Sequence, residues 1–157
     1  MPEGLGLDAP ERTAVPAEGN WTALPWPGEV TVHELFEEQA TRRPEALAVC
    51  CDGDALTYGD LERRANRLAN RLRSLGVGRE DVAGICLERS IGQVVAVLGV
   101  LKAGGAYLPL DTTYPEGRIR ELLLDAGARV LVAPRAMAER LCWFPGGLVW
   151  LGPNGVV

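Results

Sequence analysis

The feature that most constrains the fold is a regular alternation of helical and strand patterns between residues 31 and 151. Each helical segment shows apolar residues at spacings of three and four, and each strand segment is a short apolar run bounded by turn residues. Alternation of this kind requires long crossovers between neighbouring strands, which favours parallel pairing with helices on both faces. The sequence therefore predicts an α/β fold of alternating helices and mostly parallel strands.

Three polar caps locate the helix starts. Residues 31–34 (TVHE) and 90–93 (SIGQ) have the spacing of a capping box, and residues 57–60 (TYGD) form a similar cap. They predict helices ending near Pro44, Gly76 and Gly104. The run 94–101 is apolar all round and rich in β-branched residues, as in a strand, but its cap and its length favour a buried helix.

The remaining elements follow from turns and prolines. Pro115 suits the first position of a helix ending at Gly127, and a short helix is expected near residues 135–141. The predicted strands cover residues 46–51, 55–57, 82–87, 106–110, 129–133 and 148–151.

Residues 1–30 differ from the rest. They contain five prolines and four glycines without an apolar period, which is typical of a linker. Trp21 and Trp26 predict that this linker lies on a folded surface. The expected organisation is a linker over residues 1–30 and one domain over residues 31–157.

Charge and cysteine usage exclude several classes of protein. A net charge of −5 argues against nucleic-acid binding. There is neither a secretory signal nor an apolar run of the roughly 18 residues needed to span a bilayer, so we expect no membrane association and a cytoplasmic protein. The four cysteines lack metal-site spacing and are expected to stay reduced.

Isolated chemical groups in the sequence have plain structural interpretations. Lys102, the only lysine, suits the end of a helix dipole, and His33, the only histidine, lies in a first helical turn. Asp52 and Asp54 suit a turn. The glycine pairs lack the lysine and hydroxyl residue of a phosphate loop. The arginines off the apolar stripe of the second helix are a candidate phosphate patch or, more simply, a solvated face: Arg63, Arg64, Arg67, Arg71 and Arg73.

Two motifs carry a family resemblance. Residues 56–61 (LTYGDL) and 101–111 (LKAGGAYLPLD) resemble the first two core motifs of nonribosomal peptide synthetase adenylation domains. The sequence around these motifs also resembles that family, at residues 32–40, 84–90 and 114–115. Residues 20–27 resemble its condensation-to-adenylation linker. The resemblance spans roughly residues 18 to 135 and implies part of the N-terminal subdomain of the adenylate-forming fold.

The resemblance implies activation of an amino acid by ATP and magnesium, followed by transfer to a carrier-protein thiol. Its phosphate-loop, nucleotide-binding, substrate-pocket and catalytic-lysine motifs match no position in this sequence. We therefore assign no catalytic, cofactor-binding or metal residue, and the substrate-binding residues stay unknown. Asp111, just past its strand, has a position compatible with the cleft of a complete domain, but we assign it no role. No cofactor is expected for this chain alone.

Three hypotheses remain open at this point. The chain is a fragment of an adenylation domain, inactive alone, whose partners are the remaining adenylation, condensation and carrier domains. Alternatively, it is a non-catalytic interaction module that retains the scaffold. The third is part of another acyl-activating ligase or an unrelated α/β binding domain. A chain holding only part of a parallel sheet is also expected to be association-prone.

Overall fold

A computed structural model describes residues 28–156 of the chain, and the linker prediction for residues 1–27, with its two tryptophans, lies outside the described residues. A compact unit begins at Thr31. Its elements are α1 (Val32–Arg42), β1 (Leu47–Cys51), β2 (Asp54–Thr57), α2 (Tyr58–Ser74), β3 (Val82–Ile85), α3 (Ile91–Ala103), β4 (Ala106–Pro109), α4 (Glu116–Asp125), β5 (Val130–Ala133), α5 (Ala138–Leu141) and β6 (Gly147–Trp150).

Four of the strands form a parallel sheet in the order β4-β3-β5-β6. The chain moves from β3 to β4 on one side and then crosses back to β5 and β6 on the other. β1 and β2 form a separate antiparallel hairpin, whose turn holds Asp52 at φ 51° and Gly53 at φ 89°. Aspartate and glycine tolerate these left-handed angles, so the turn interpretation of Asp52 is confirmed. The predicted α/β architecture is confirmed as well.

The sheet is covered on both faces. Alternate side chains of β5 point to opposite sides, so that Val130 and Val132 face one core while Leu131 and Ala133 face the other. The first core packs against α2 and α3 through residues that include Leu68, Leu72 and Val95. The second packs against α4 and α5 through residues that include Ile119, Leu123 and Leu141. Three layers result, with the sheet in the middle.

The apolar run after Ser90 is a helix, as its cap predicts. The Ser90 hydroxyl accepts from the Gln93 backbone N–H at 3.2 Å, and α3 ends at Gly104 with φ 91°. Nine residues of α3 are buried, because the helix lies between the sheet and α2. Burial on several sides explains why the run lacks a polar face.

Two sequence expectations differ from the structure at element ends. Pro115 precedes α4 instead of beginning it, since its ψ of 146° is extended and the helix starts at Glu116. The third predicted strand ends at Ile85, two residues early, although the Cys86 N–H still donates to the Val132 carbonyl at 2.9 Å. Among residues 28–156, no helix is both long and apolar enough to cross a membrane.

Candidate functional site

The candidate site is the cleft at the carboxyl ends of the parallel strands. In open α/β sheets, ligands bind at this edge, where the strand order reverses. Here the strand order reverses between β3 and β5. A hollow of about 370 Å³ opens next to this point, at the carboxyl ends of β3 and β4. Its lining comes from the segments that follow β3 and β4: Leu87, Glu88, Arg89, Gln93, Pro109, Leu110, Asp111 and Thr112.

Asp111 lies in this cleft and is held by its own loop. Its Oδ1 atom accepts from the backbone N–H of Thr113 at 2.8 Å and from the Thr113 hydroxyl at 2.7 Å. Both hydrogen bonds favour the carboxylate, so they lower the pKa of Asp111 below its ordinary value. The residue that the sequence places just past its strand is therefore an ionised, oriented group on the cleft wall.

The loop that carries Asp111 is fastened from the opposite layer. Arg140, in α5, donates to the carbonyl of Thr112 at 3.2 Å and to that of Tyr114 at 2.7 Å. Both of these hydrogen bonds from the guanidinium go to backbone carbonyls of the loop. The sequence analysis did not identify Arg140, because its two hydrogen-bond partners lie 28 and 26 residues away along the chain.

A buried thiol lies in the second core, directly before the cleft-lining residue Leu87. Cys86 follows β3 directly, is fully buried, and its Sγ lies 3.8 Å from the Met137 sulfur. Burial raises the pKa of Cys86 to about 11, because the apolar surroundings disfavour the thiolate. A thiol with so little thiolate is a poor nucleophile, so its role here is packing.

The other groups considered from the sequence lie away from the cleft. His33 is in the first turn of α1, with Nε2 at 3.4 Å from the Thr31 hydroxyl. Arg64 donates to the carbonyl of Asn154, and Arg73 to that of Lys102, so both stabilise the fold. In the described part of the chain, no cluster of three or more acidic, histidine or cysteine side chains is arranged to hold a metal ion.

Lys102 has a role that the sequence did not reveal. It lies in the last turn of α3, as the dipole interpretation requires, but its side chain is only 3% exposed. The ammonium bonds to Glu37 of α1 and, at 3.0 Å, to Glu62 of α2. The two carboxylates are 65 and 40 residues away in sequence, and no local pattern marks them as partners.

Comparison with known proteins connects this geometry to a family. The family model described as AMP-binding enzyme matches residues 36–145, well over half of the 157 residues. The chain belongs to the AMP-binding enzyme family. Within it, the resemblance to nonribosomal peptide synthetases is confirmed. Chondramide synthase cmdD of Chondromyces crocatus is 51% identical over 129 residues, covering 80% of this chain. Tyrocidine synthase 3 of Brevibacillus parabrevis is 42% identical over 129 residues, covering 82%.

Solved structures of AMP-binding enzymes confirm the fold at the level of the subdomain. The synthetase FmoA3 with bound alpha-methyl-L-serine-AMP aligns with a TM-score of 0.77 and 41% identity, covering 85% of this chain and 15% of FmoA3. The N-terminal subdomain of Klebsiella oxytoca NpsA aligns with a TM-score of 0.67 and 27% identity, covering 76% of this chain and 30% of that subdomain. The chain spans only 3% and 2% of the two synthases above.

Proposed function

We propose that this chain is part of an adenylation domain that activates an amino acid with ATP as an aminoacyl-adenylate. The observation that carries the proposal is the placement of residues 101–111. They run from the end of α3 through the Gly104 turn and along β4, and they deliver Asp111 to the cleft at the carboxyl edge of the sheet. FmoA3, which shares this fold, is a synthetase with a bound aminoacyl-AMP.

We also propose that the chain does not catalyse this reaction alone. Asp111, which lines the cleft, is engaged in its own loop, where it accepts from the Thr113 hydroxyl at 2.7 Å. Ser90, next to the cleft lining, caps α3 and donates to the Glu88 carbonyl at 3.0 Å. The proposal is supported by the described residues, in which no three acidic, histidine or cysteine side chains are grouped to hold a metal ion. ATP and magnesium would be held by other parts of a complete domain, and no step is assigned to residues of this chain.

The proposed partners are the other domains of a synthetase, with residues 1–30 as the linker to a preceding condensation domain. The relatives support this assignment because each is far longer than the matched segment. A carrier protein would receive the activated acyl group.

ATP–pyrophosphate exchange tests both parts of the proposal. The purified chain, offered each proteinogenic amino acid, is expected to show no exchange above the blank. A chimaera in which residues 36–145 replace the matching segment of a chondramide synthase adenylation domain is expected to retain exchange with that domain's own amino acid. Exchange by the chain alone would contradict the inactivity, and a folded but inactive chimaera would contradict the assignment to a working adenylation domain.

A matched control makes the chimaera informative. In the chimaera carrying Gly84→Leu, even the first added carbon would lie 2.6 Å from the Leu123 side chain and 3.0 Å from that of Leu131. We expect this substitution in β3 to abolish exchange by disrupting the sheet. If the folded chimaera lacks exchange but still captures synthetase domains, the interaction-module hypothesis replaces the enzymatic one.

A further inference from the structure

Helix α1 is attached to the rest of the fold differently from α2 and α3. One of its residues, Ala40, is buried, whereas α2 has five buried residues and α3 nine. Its first residue, Val32, is 64% exposed. A helix of eleven residues with so small a buried face gains little from apolar burial.

The N-terminal half of α1 lies beside two apolar hollows. Val32 borders both of them. One has a volume of about 420 Å³, with Val94, Val97 and Phe36 in its wall. The other, of about 540 Å³, lies against Val97, Leu101 and Tyr107. α1 therefore extends over the outer face of α3 without filling the space against it, which forfeits much of the dispersion energy of close packing.

The firm attachment of α1 lies in its middle. Glu37 bonds to the buried ammonium of Lys102, and the Phe36 ring lies 5.7 Å from that of Tyr58. A charge-assisted hydrogen bond to a group that is 3% exposed is much stronger than a surface ion pair, because little water competes for the ammonium. By contrast, Glu38 pairs with Arg42 of the same helix in the open and does not hold α1 to anything.

The contacts around Lys102 also allow its hydrogen bond to Glu37 to break. Lys102 keeps a second partner in Glu62, whose Oε1 atom lies 3.0 Å away. The other carboxylate oxygen of Glu62, Oε2, is buried without a hydrogen-bond partner. If Glu37 leaves, the ammonium still faces a full carboxylate, so that opening does not leave an unpaired buried charge, which would be far more costly.

We propose that α1 is a releasable strap, and that the Lys102–Glu37 bond is its clasp. In the closed state the strap lies over the α3 face at Val97 and Leu101, while Val94 at its border stays 36% exposed. In the open state α1 separates while α2, α3 and the sheet stay folded, held together by Lys102–Glu62. The only lysine of the sequence thus serves as a conformational device that links three helices.

Hydrogen exchange of the full 157-residue chain, read by segment, tests the proposal. In the unsubstituted chain we expect α1 amides to exchange faster than those of α2 and α3. Glu37→Ala removes the carboxylate by which α1 holds Lys102. It should raise the exchange rate of α1 amides by about tenfold or more and leave the rates in α2, α3 and the sheet unchanged. Glu38→Ala is the matched control. It makes the same truncation one residue along and should change α1 exchange by less than about threefold.

Two results would overturn the strap. One is equal protection of α1 and α3 in the unsubstituted chain, which remains decisive even if a variant fails to fold. The other is an equal response to Glu37→Ala and Glu38→Ala. Binding of a hydrophobic dye gives an independent readout: fluorescence should rise for Glu37→Ala and not for Glu38→Ala, because only the former uncovers the α3 face.

Discussion

At the scale of single residues, the atoms packed around a position decide whether it requires a glycine. Gly99 of α3 is an example, because the Leu68 side chain of α2 packs closely against it. A Cβ at this position would lie 2.7 Å from Cδ2 and 2.8 Å from Cγ of Leu68. Gly117, also in a helix, has no atom within 4 Å of such a Cβ. The same residue type is thus required in one helix and dispensable in another.

This contrast predicts opposite effects of one substitution. Gly99→Ala should lower the free energy of unfolding by about 1–3 kcal/mol, because Leu68 is fully buried and has nowhere to move. Gly117→Ala should raise it by roughly 0.5–1 kcal/mol through lower backbone entropy in the unfolded chain. Urea denaturation followed by circular dichroism measures both, and a loss of stability in Gly117→Ala would contradict the interpretation.

The cysteines should differ in reactivity by position. Cys50 and Cys142 are exposed, while Cys86 is buried. With iodoacetamide at about pH 8, we expect Cys50 and Cys142 to be labelled in the folded chain and Cys86 only after unfolding. Mass spectrometry of labelled peptides locates the sites. Labelling of Cys86 as fast as Cys142 would show that the second core is open to solvent.

The raised pKa of Cys86 also predicts a pH dependence of stability. Its unfolded value is 9.0 and its folded value about 11, so the unfolded chain loses this proton first as the pH rises. The contribution of the neutral thiol is complete below pH 9.0 and is lost as the pH rises towards about 11. The stability difference between the unsubstituted chain and Cys86→Ala should therefore shrink over that range, and a constant difference would contradict it.

At the scale of elements, polar bonds join helices that apolar packing leaves loosely connected. α2 and α3 share an extensive core, but α1 meets them chiefly through Glu37 and the ring of Phe36. Glu62 occupies the central position, because it holds the Lys102 ammonium whether or not α1 is seated. Its side chain is 23% exposed, less than that of Glu37 at 45%.

Glu62→Ala should therefore destabilise the whole unit. Lys102 would keep Glu37 as a carboxylate partner but lose its charge-assisted hydrogen bond to α2, and we expect the free energy of unfolding to fall by about 1.5–3 kcal/mol in one cooperative transition. Glu121→Ala is the control, since it breaks an exposed helical ion pair with Arg118 and should cost less than about 0.5 kcal/mol. Equal losses of unfolding free energy in the two variants, measured by urea denaturation, would show that the buried Lys102–Glu62 pair stabilises the fold no more than an exposed ion pair.

At the scale of the whole molecule, the described sheet has two edges. β4 and β6 each pair with one neighbour, and each leaves a row of backbone donors and acceptors open on its other side. Tyr107 of β4 is 43% exposed and lies next to Val97 and Leu101 in one of the apolar hollows. Open edges beside apolar surface favour association between copies.

We therefore expect the isolated chain to self-associate as its concentration rises. Tyr107→Lys should reduce association, because a charge on an edge strand opposes pairing with another strand. Leu124→Lys, at a position 61% exposed on α4, adds the same charge away from the edges and should have little effect. Light scattering after size-exclusion chromatography measures the mass, and a monomer at all concentrations with a reversible cooperative melt would contradict this prediction.

Local chemistry made much of this fold predictable from the sequence. The capping box at Thr31 and the cap at Thr57 are present with their expected bonds, because cap and partner are three residues apart. The buried helix after Ser90 was identifiable from its cap and from Gly104. The predicted position of Pro115 was wrong by one residue, since a proline φ suits both the cap and the first helical position and its ψ decides between them.

The sequence alone determined the α/β class, the family motifs and the position of Asp111 just after a strand, because each depends on residues within about ten positions of one another. Only the tertiary structure decided that Arg140 fastens the Asp111 loop and that Lys102 joins Glu37 to Glu62. These bonds join residues dozens of positions apart, and they form only after packing has removed water from between the helices. A charged residue is normally solvated and becomes buried only where partners offset the cost of removing its water, and these partners are defined in three dimensions.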